Sequence, residues 1–514
     1  MRVPGQGSGL LLALLSGVLS SLAFPPVGWT PLVLVAPVPL LRALAAAERL
    51  GLRRAFLLGW IAGLFHFLLA FHWILSLPNE EVTIPGIMIP SLLFMSAYLA
   101  VYSGFAAAFA SGIARRLRLP VGLVWPLFAA LAEYARSIGP LGFPWGIPAY
   151  ALVDATPILQ IGALTGFWGL TFWVALCGGL LDTVVGVQGR RRAGAAACLV
   201  LVALLPWIYG FQVLRAAPTD RVDGPTGLSV SLIQPNTSRE IKWDPRYREI
   251  VVGDLLERTR AAAETEPDLI VWPETAAPIL LLQEPIYLGQ VQETVRELGI
   301  PLLAGTLDHS RVEGVYESHN SAALFDAEGL VQLRYDKQRL VPFSERMPFR
   351  DAVPWLAGLN FGQSDFTPGR RNVLFPADGT RFGVLICFES IFPDLARRFA
   401  DEGAEMLVNI TNDFWFGRNA APVQHADMAV FRAVETRRPL LRCANTGISM
   451  VVDPWGRISH RTALFVEDRI DVRIVPSREK SFYVRHGEWL LKILAGLAGA
   501  LLAAALLAPR RPAP

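Results

Sequence analysis

Apolar residues fall in long runs at 8–24, 28–47, 55–77, 88–114, 120–138, 158–186 and 195–213, and again at 489–507. Each run is about as long as a helix needs to cross a bilayer core, so the pattern predicts eight transmembrane helices. The run at 28–47 carries several prolines and is the least regular of them. The first run follows Arg2, as the apolar part of a signal peptide would. No small-residue cleavage site stands out, however, and more runs follow closely, so it reads as a retained helix.

Between 214 and 486 the period changes. Leu228–Gln234 alternates as a half-buried strand does, whereas Arg246–Ala263 repeats with the helical period. Further strands are predicted at 269–272, 302–306, 321–325, 330–335, 382–386, 406–410, 440–443 and 448–452, with helices at 286–298, 391–399 and 421–437. Alternating strands and helices define an α/β layered domain. Because so many strands come in pairs, a mixed-sheet sandwich covered by helices fits better than a doubly wound sheet. The chain thus divides into a seven-helix membrane domain (1–213), an α/β domain (214–486), a last transmembrane helix (487–508) and a tail (509–514).

Charge gives these segments an orientation. Arg42, Arg49, Arg53 and Arg54 follow the second run, and Arg115, Arg116 and Arg118 follow the fourth. Arg190–Arg192 follow the sixth main hydrophobic segment, and Arg510 and Arg511 close the chain. The intervening loops are poor in positive charge: the loop beginning at Pro78 starts Pro-Asn-Glu-Glu-Val, and 136–157 holds only Arg136. Positive loops stay in the cytoplasm, so both termini are expected there. The α/β domain is then expected outside, in the periplasm of a bacterium with two membranes, which makes this an inner-membrane protein.

Composition narrows the classes. The chain is 53% hydrophobic and only 18% charged, with mean hydropathy +0.39, too apolar for a soluble protein of this size. A net charge of +3 gives no basic field for nucleic acid. Cys177, Cys198, Cys387 and Cys443 show no C-x-x-C spacing, so neither a zinc site nor a disulfide framework is expected, and Cys387 and Cys443 are left as two thiols or one bridge. Within the membrane half, Glu133 and Arg136 are spaced to pair, and His66 and His72 read as packed residues. The stretch Gly142–Tyr150 suits an interfacial turn or a re-entrant loop lining a lipid entrance, with Trp145 a candidate for the substrate channel.

Three stretches end predicted strands with chemically useful side chains. Val271-Trp-Pro-Glu274 presents a carboxylate after a strand-ending proline; Tyr335-Asp-Lys337 runs into Pro342-Phe-Ser-Glu345; and Arg381–Ile386 delivers Cys387-Phe-Glu389 to a helix start. Attack by a thiol on an acyl carbon needs a base for its proton, a role for Glu274, and a cation for the oxyanion, a role for Lys337. The opposing reading treats Cys387 as a small core residue and both charges as solvated surface groups. Glu345 reads equally as a surface ion pair, Glu389 as a helix cap, His425 as a satisfied buried histidine, and Asn412 and Asp413 as a turn. Trp243, Trp415 and Phe416 are candidates for an acyl channel or for core. Segments 343–365 and 414–422 have the glycine and aromatic content of lids.

Taken in order, Trp-Pro-Glu274, Tyr-Asp-Lys337 with Pro-Phe-Ser-Glu345, and Cys387-Phe-Glu-Ser resemble the nitrilase superfamily. With the flanking spans, the chain is similar to that superfamily's membrane-embedded branch, the apolipoprotein N-acyltransferases. Phe24-Pro-Pro, Phe143-Pro-Trp, Gln234-Pro-Asn, Lys242-Trp243, Asn409–Phe416 and Thr446-Gly-Ile-Ser extend the resemblance along nearly the whole chain. It implies an αββα sandwich, a Glu274–Lys337–Cys387 triad, and support from Glu345 and Glu389. It also implies an acyl donor among membrane phospholipids, phosphatidylethanolamine first, and a diacylglyceryl-modified apolipoprotein as acceptor, with no metal or organic cofactor. Ser344 and Phe388 depart from the family's common Gly and Tyr. A monomer is expected, since one chain would hold the whole site. The rival readings are a tethered amidase with water as acceptor and a ligand-binding sensor or transporter; the scarcity of charge within the spans argues against the latter.

Overall fold

The computed structural model describes residues 6–46, 51–77, 86–242, 244–277, 279–312, 315–353, 355 and 364–508. Trp243, the loop opening at Pro78, Arg49, Arg510, Arg511 and most of 354–363 lie outside them. Two compact units emerge: one from Met1–Ser76, Gly86–Arg215 and His486–Pro514, the other centred on Ala216–Arg485.

Among the described residues of the first unit, five helices are long and apolar enough to cross a membrane: Leu52–Ser76, Met88–Leu117, Phe167–Gly186, Gly189–Ala216 and Trp489–Leu507. Shorter apolar helices cover Ser8–Ser21, Leu32–Ala46 and Val121–Ala135. The proline-rich run divides into Leu32–Val35 and Pro37–Ala46, with Pro37, which has no N–H to donate, at the joint. The run at 158–186 opens with two short turns, Thr156–Leu159 and Gly162–Thr165, before its main helix. Small residues bring helices together. A Cβ on Gly122 would lie 2.2 Å from the Gly179 carbonyl oxygen, and one on Gly179 would lie 2.0 Å from that of Gly122. Such close approach is how helices associate in lipid, where apolar side chains gain little from leaving it.

The expected Glu133–Arg136 pair forms, at 2.5 Å. Arg136 also donates to the Trp145 carbonyl at 3.0 Å. Trp145 is buried, 5.4 Å from the Trp73 ring and stacked on Phe143 at 6.0 Å. His66 is packed as expected, with Nε2 on the Gly146 carbonyl at 2.8 Å.

The second unit holds two six-stranded sheets. The strands are β1 (Leu228–Gln234), β2 (Leu269–Val271), β3 (Leu302–Val312), β4 (Val315–Phe325), β5 (Val331–Asp336), β6 (Leu374–Ala377), β7 (Thr380–Ile386), β8 (Met406–Thr411), β9 (Leu440–Ala444), β10 (Met450–Val452), β11 (Ile458–Arg461) and β12 (Asp468–Ile474). Their orders are β12-β1-β2-β3-β4-β5 and β11-β10-β9-β8-β7-β6. In each sheet the central pairs are parallel and the outer ones antiparallel. Cys443 on β9 reaches the carbonyls of Ile233 on β1 and Val271 on β2, at 3.2 and 3.4 Å, so the sheets stack face to face. Helices Arg248–Ala263 and Pro285–Leu298 cover one outer face, with Leu255 and Val295 in a core around Ile270, Trp272 and Ala304. Helices Pro393–Asp401 and Ala420–Thr436 cover the other. The result is the αββα sandwich. All four cysteines are free thiols, which settles the Cys387–Cys443 alternative.

Candidate active site

Glu274 follows β2, whose residues are fully buried, and Pro273 ends that strand. Thr275 then takes a positive φ of 43°, an uncommon conformation for a residue with a branched Cβ. Glu274 is itself buried, yet three donors meet its carboxylate. Oε1 accepts from Asn320 Nδ2 at 2.7 Å and from Lys337 Nζ at 3.4 Å, and Oε2 accepts from the Asn412 backbone N–H at 2.8 Å. The β3 strand passes close behind. A Cβ on Gly305 would stand 2.2 Å from the Pro273 oxygen and 2.7 Å from the Glu274 Cα.

Lys337 leaves the end of β5 and is 1% exposed. Its Nζ lies 2.8 Å from Glu345 Oε1 as well as near Glu274. Burial works against its charge, but Glu345, then Glu274, outweigh it and hold the ammonium above its ordinary range. Glu345 Oε1 also accepts from Asn320 Nδ2 at 3.2 Å, and its Oε2 accepts from the Val341 N–H at 2.8 Å. Glu345 is therefore no surface ion pair.

Cys387 stands at the end of β7 with φ +50°. A residue is held there only where its surroundings over-determine it. Glu389 supplies the constraint. Its Oε2 accepts from the Ile386 N–H at 2.8 Å, while Oε1 accepts from Tyr335 Oη at 2.8 Å and from the Gln338 and Arg339 N–H groups at 2.6 and 3.1 Å. One carboxylate thus ties the cysteine turn to the Lys337 loop. Burial pushes Glu389 up to about 7, with the Ile386 and Gln338 hydrogen bonds pulling the other way. Phe388 buries its ring edge-on to Phe392, at 5.1 Å and 79°, and Ser344 donates its N–H to the Val341 carbonyl at 3.3 Å.

The Cys387 thiol is raised above its ordinary value, by burial first and the Glu274 charge second, with Lys337 opposing. Burial thus favours the neutral thiol over a thiolate at this position. On the other side, Asp413 accepts from Arg442 Nη2 at 2.7 Å and contacts His425 Nδ1 at 2.8 Å. His425 Nε2 lies 3.2 Å from the Cys387 carbonyl oxygen. Asp413 is fully buried, so Asn412 and Asp413 do more than the expected turn. His425 is the satisfied buried histidine the sequence suggested. Donor atoms of Cys387, Asp413 and His425 lie within 4.8 Å of one another, but the cation on Asp413 is the Arg442 guanidinium.

Sequence reasoning brought out Glu274, Lys337, Cys387, Glu345 and Glu389, and the fold gathers all five. It missed Asn320, which bridges two of the carboxylates, and Thr411, whose hydroxyl donates to Asp413 Oδ1 at 3.0 Å. Lys242 was seen only as part of a motif. It is buried, with Nζ 3.3 Å from Thr275 Oγ1 and 3.5 Å from the Glu274 carbonyl, and burial lowers it to about 7 against the pull of Glu274. Trp415 is 41% exposed and the Phe416 ring meets His425 at 6.2 Å; Trp145 belongs to the helical unit, and Trp243 lies outside the described residues.

Residues 229–482 match the carbon-nitrogen hydrolase family, which is the class of enzyme the sandwich and its cysteine site define. Residues 16–180 match the apolipoprotein N-acyltransferase N-terminal domain. The apolipoprotein N-acyltransferase of Geobacter metallireducens is 38% identical over 96% of this chain and 94% of its own length. That of Bradyrhizobium diazoefficiens is 31% identical over 98% and 96%. Among solved structures, a Nesterenkonia AN1 amidase from the nitrilase superfamily matches with a TM-score of 0.40 at 20% identity, over 52% of this chain and 98% of that one. The chain belongs to the apolipoprotein N-acyltransferase family.

Proposed function

We propose that this protein moves an acyl chain from a membrane phospholipid to the amino terminus of a diacylglyceryl-modified apolipoprotein, with Cys387 as the relay. The observation that carries the reading is the site itself: a neutral thiol on a left-handed turn, next to a buried carboxylate whose neighbour is a buried lysine. In the first half-reaction Cys387 attacks the ester carbon and Glu274 takes the thiol proton. The carbon–oxygen bond breaks, Glu274 returns the proton to the departing alkoxide, and a thioester remains. In the second, the acceptor's α-amine attacks the thioester. Glu274 takes one amine proton, the carbon–sulfur bond breaks, and the thiol is restored.

Lys337 faces the oxyanion of both tetrahedral species. Glu345 keeps Lys337 in place, and Glu389 holds the cysteine turn. Because the thiol is neutral at rest, the proton transfer to Glu274 is part of the attack. Phosphatidylethanolamine is the proposed donor, and Trp145, Trp243, Trp415 and Phe416 are proposed to meet acyl chains. Eight spans, cytoplasmic termini and a periplasmic 214–486 segment complete the reading, with a single chain as the working unit and no resident cofactor.

Incubation of the purified full chain with labelled phosphatidylethanolamine tests it. A labelled acyl adduct on Cys387 is expected, discharged by a diacylglyceryl peptide and absent in Cys387→Ala. Hydrolysis of a small amide without any acyl adduct would make the protein an amidase instead.

A further inference from the structure

Glu274 and Glu345 both bring Oε1 to Lys337 Nζ, at 3.4 and 2.8 Å, so two carboxylates share one cation. Two like charges then crowd one cation in a dry site, and hydrogen bonds donated to the charged forms are what offsets their repulsion.

Asn320 lies where it counters this. It sits on β4 at 3% exposure, and its backbone carbonyl accepts from the Lys337 N–H at 2.8 Å. Its Nδ2 carries two N–H groups, and the two oxygens it meets belong to the two carboxylates: Glu274 Oε1 at 2.7 Å and Glu345 Oε1 at 3.2 Å. The amide has only one workable orientation, because turning it over would set its oxygen against both carboxylate oxygens. In that orientation Oδ1 is buried without a hydrogen-bond partner among the described residues. The side chain therefore leaves its own acceptor unmet while both of its donors serve the carboxylates.

We infer that Asn320 is a positioning residue that keeps the Glu274 carboxylate ionised by donating to Glu274 and Glu345 at once. A neutral donor is the fitting group. Aspartate would add a third carboxylate to one lysine, and a second lysine would add a charge that competes with Lys337 for both. The inference rests on Glu274 being the base of the proposed reaction.

The test reads proton acceptance apart from lipid chemistry. Alkylation of Cys387 by iodoacetamide is followed by mass spectrometry against pH in the full-length chain, in a Cys198→Ser background because Cys198 is exposed. In Asn320→Ala, the acid limb of the profile should move up by about one pH unit and the rate on that limb should fall about tenfold, the factor one unit represents. The isosteric Asn320→Asp should move it further in the same direction, and it preserves shape if the alanine variant folds poorly. A lowered melting temperature with an unmoved pH profile in either variant would reduce Asn320 to a structural residue and overturn the inference. Phospholipid acyl transfer is assayed in parallel. If the wild-type chain alkylates normally but transfers no acyl group, the proposed function falls while the profile still decides the role of Asn320.

Discussion

Asp413 shows how much a single buried charge can be asked to do. Burial alone would push its carboxyl up, but Arg442 first and His425 second outweigh that and hold it below its ordinary 3.8. A carboxyl depressed by folding adds stability that is present above its unfolded value and is lost as the pH falls through the folded one. The wild-type melting temperature should therefore drop below about pH 4, a limb that Asp413→Asn should flatten. That variant leaves the Arg442 guanidinium buried beside a neutral amide, so it should cost about 3–5 kcal/mol at neutral pH, measured by thermal unfolding. Glu389→Gln is a second probe at this scale. The amide nitrogen must face either the Ile386 N–H or the three donors on Oε1, so either orientation sets donor against donor. A loss of about 1–3 kcal/mol and of most acyl-adduct formation is expected although the side chain barely changes shape. Wild-type stability and activity in Glu389→Gln would show that the carboxylate does not hold the cysteine turn.

Among the elements, the strand ends carry the site, and they were also the most legible part of the sequence. The strands leading to Glu274 and Cys387 are apolar and short, bounded by a proline and by charged residues, and both occur where the pattern puts them. The β3–β4 hairpin was read only in its inner halves. Its outer parts, Asp308–Arg311 and Tyr316–Ser318, are mostly polar and pair with each other, so no apolar period marks them in the sequence. β12 alternates buried and exposed positions but carries four charges in seven residues, which masked its pairing with β1. Asn320 and Asp413 were illegible for a different reason. Nothing local tells a buried polar residue from an exposed one, and their partners Glu345 and Arg442 lie 25 and 29 residues away. The closeness of β3 to the Glu274 turn gives this scale its prediction. Gly305→Ala places a Cβ against the Pro273 oxygen and the Glu274 Cα, both backbone atoms that can move only together. The Glu274 carboxylate should shift and acylation of Cys387 should slow by at least about a hundredfold, as a displacement of about 1 Å at a reacting group does. Binding of the lipid substrate should change little, and equal losses in both would point to general misfolding.

For the whole molecule, the proposed chemistry implies a particular sidedness. If the proposed reaction runs outside the cytoplasm, residues 216–485 must be exported, and the arginine distribution is what supports that placement. Arg53, Arg54, Arg115, Arg116 and Arg118 flank one set of helix ends, and Arg190, Arg191 and Arg192 flank another. Arg116 also donates to the Ala505 carbonyl at 2.9 Å, which brings the end of the last helix level with that of Met88–Leu117. If Arg116 is cytoplasmic, as the positive-inside rule requires, the end of the last helix is cytoplasmic too. Fluorescent-protein and alkaline-phosphatase fusions to the end of this chain check the argument in cells. The fluorescent fusion should be bright and the phosphatase fusion inactive, while phosphatase inserted after Asp220, an exposed loop residue, should be active. An active phosphatase at the chain end would place Arg116 and its companions outside and reverse the orientation of every helix in the unit.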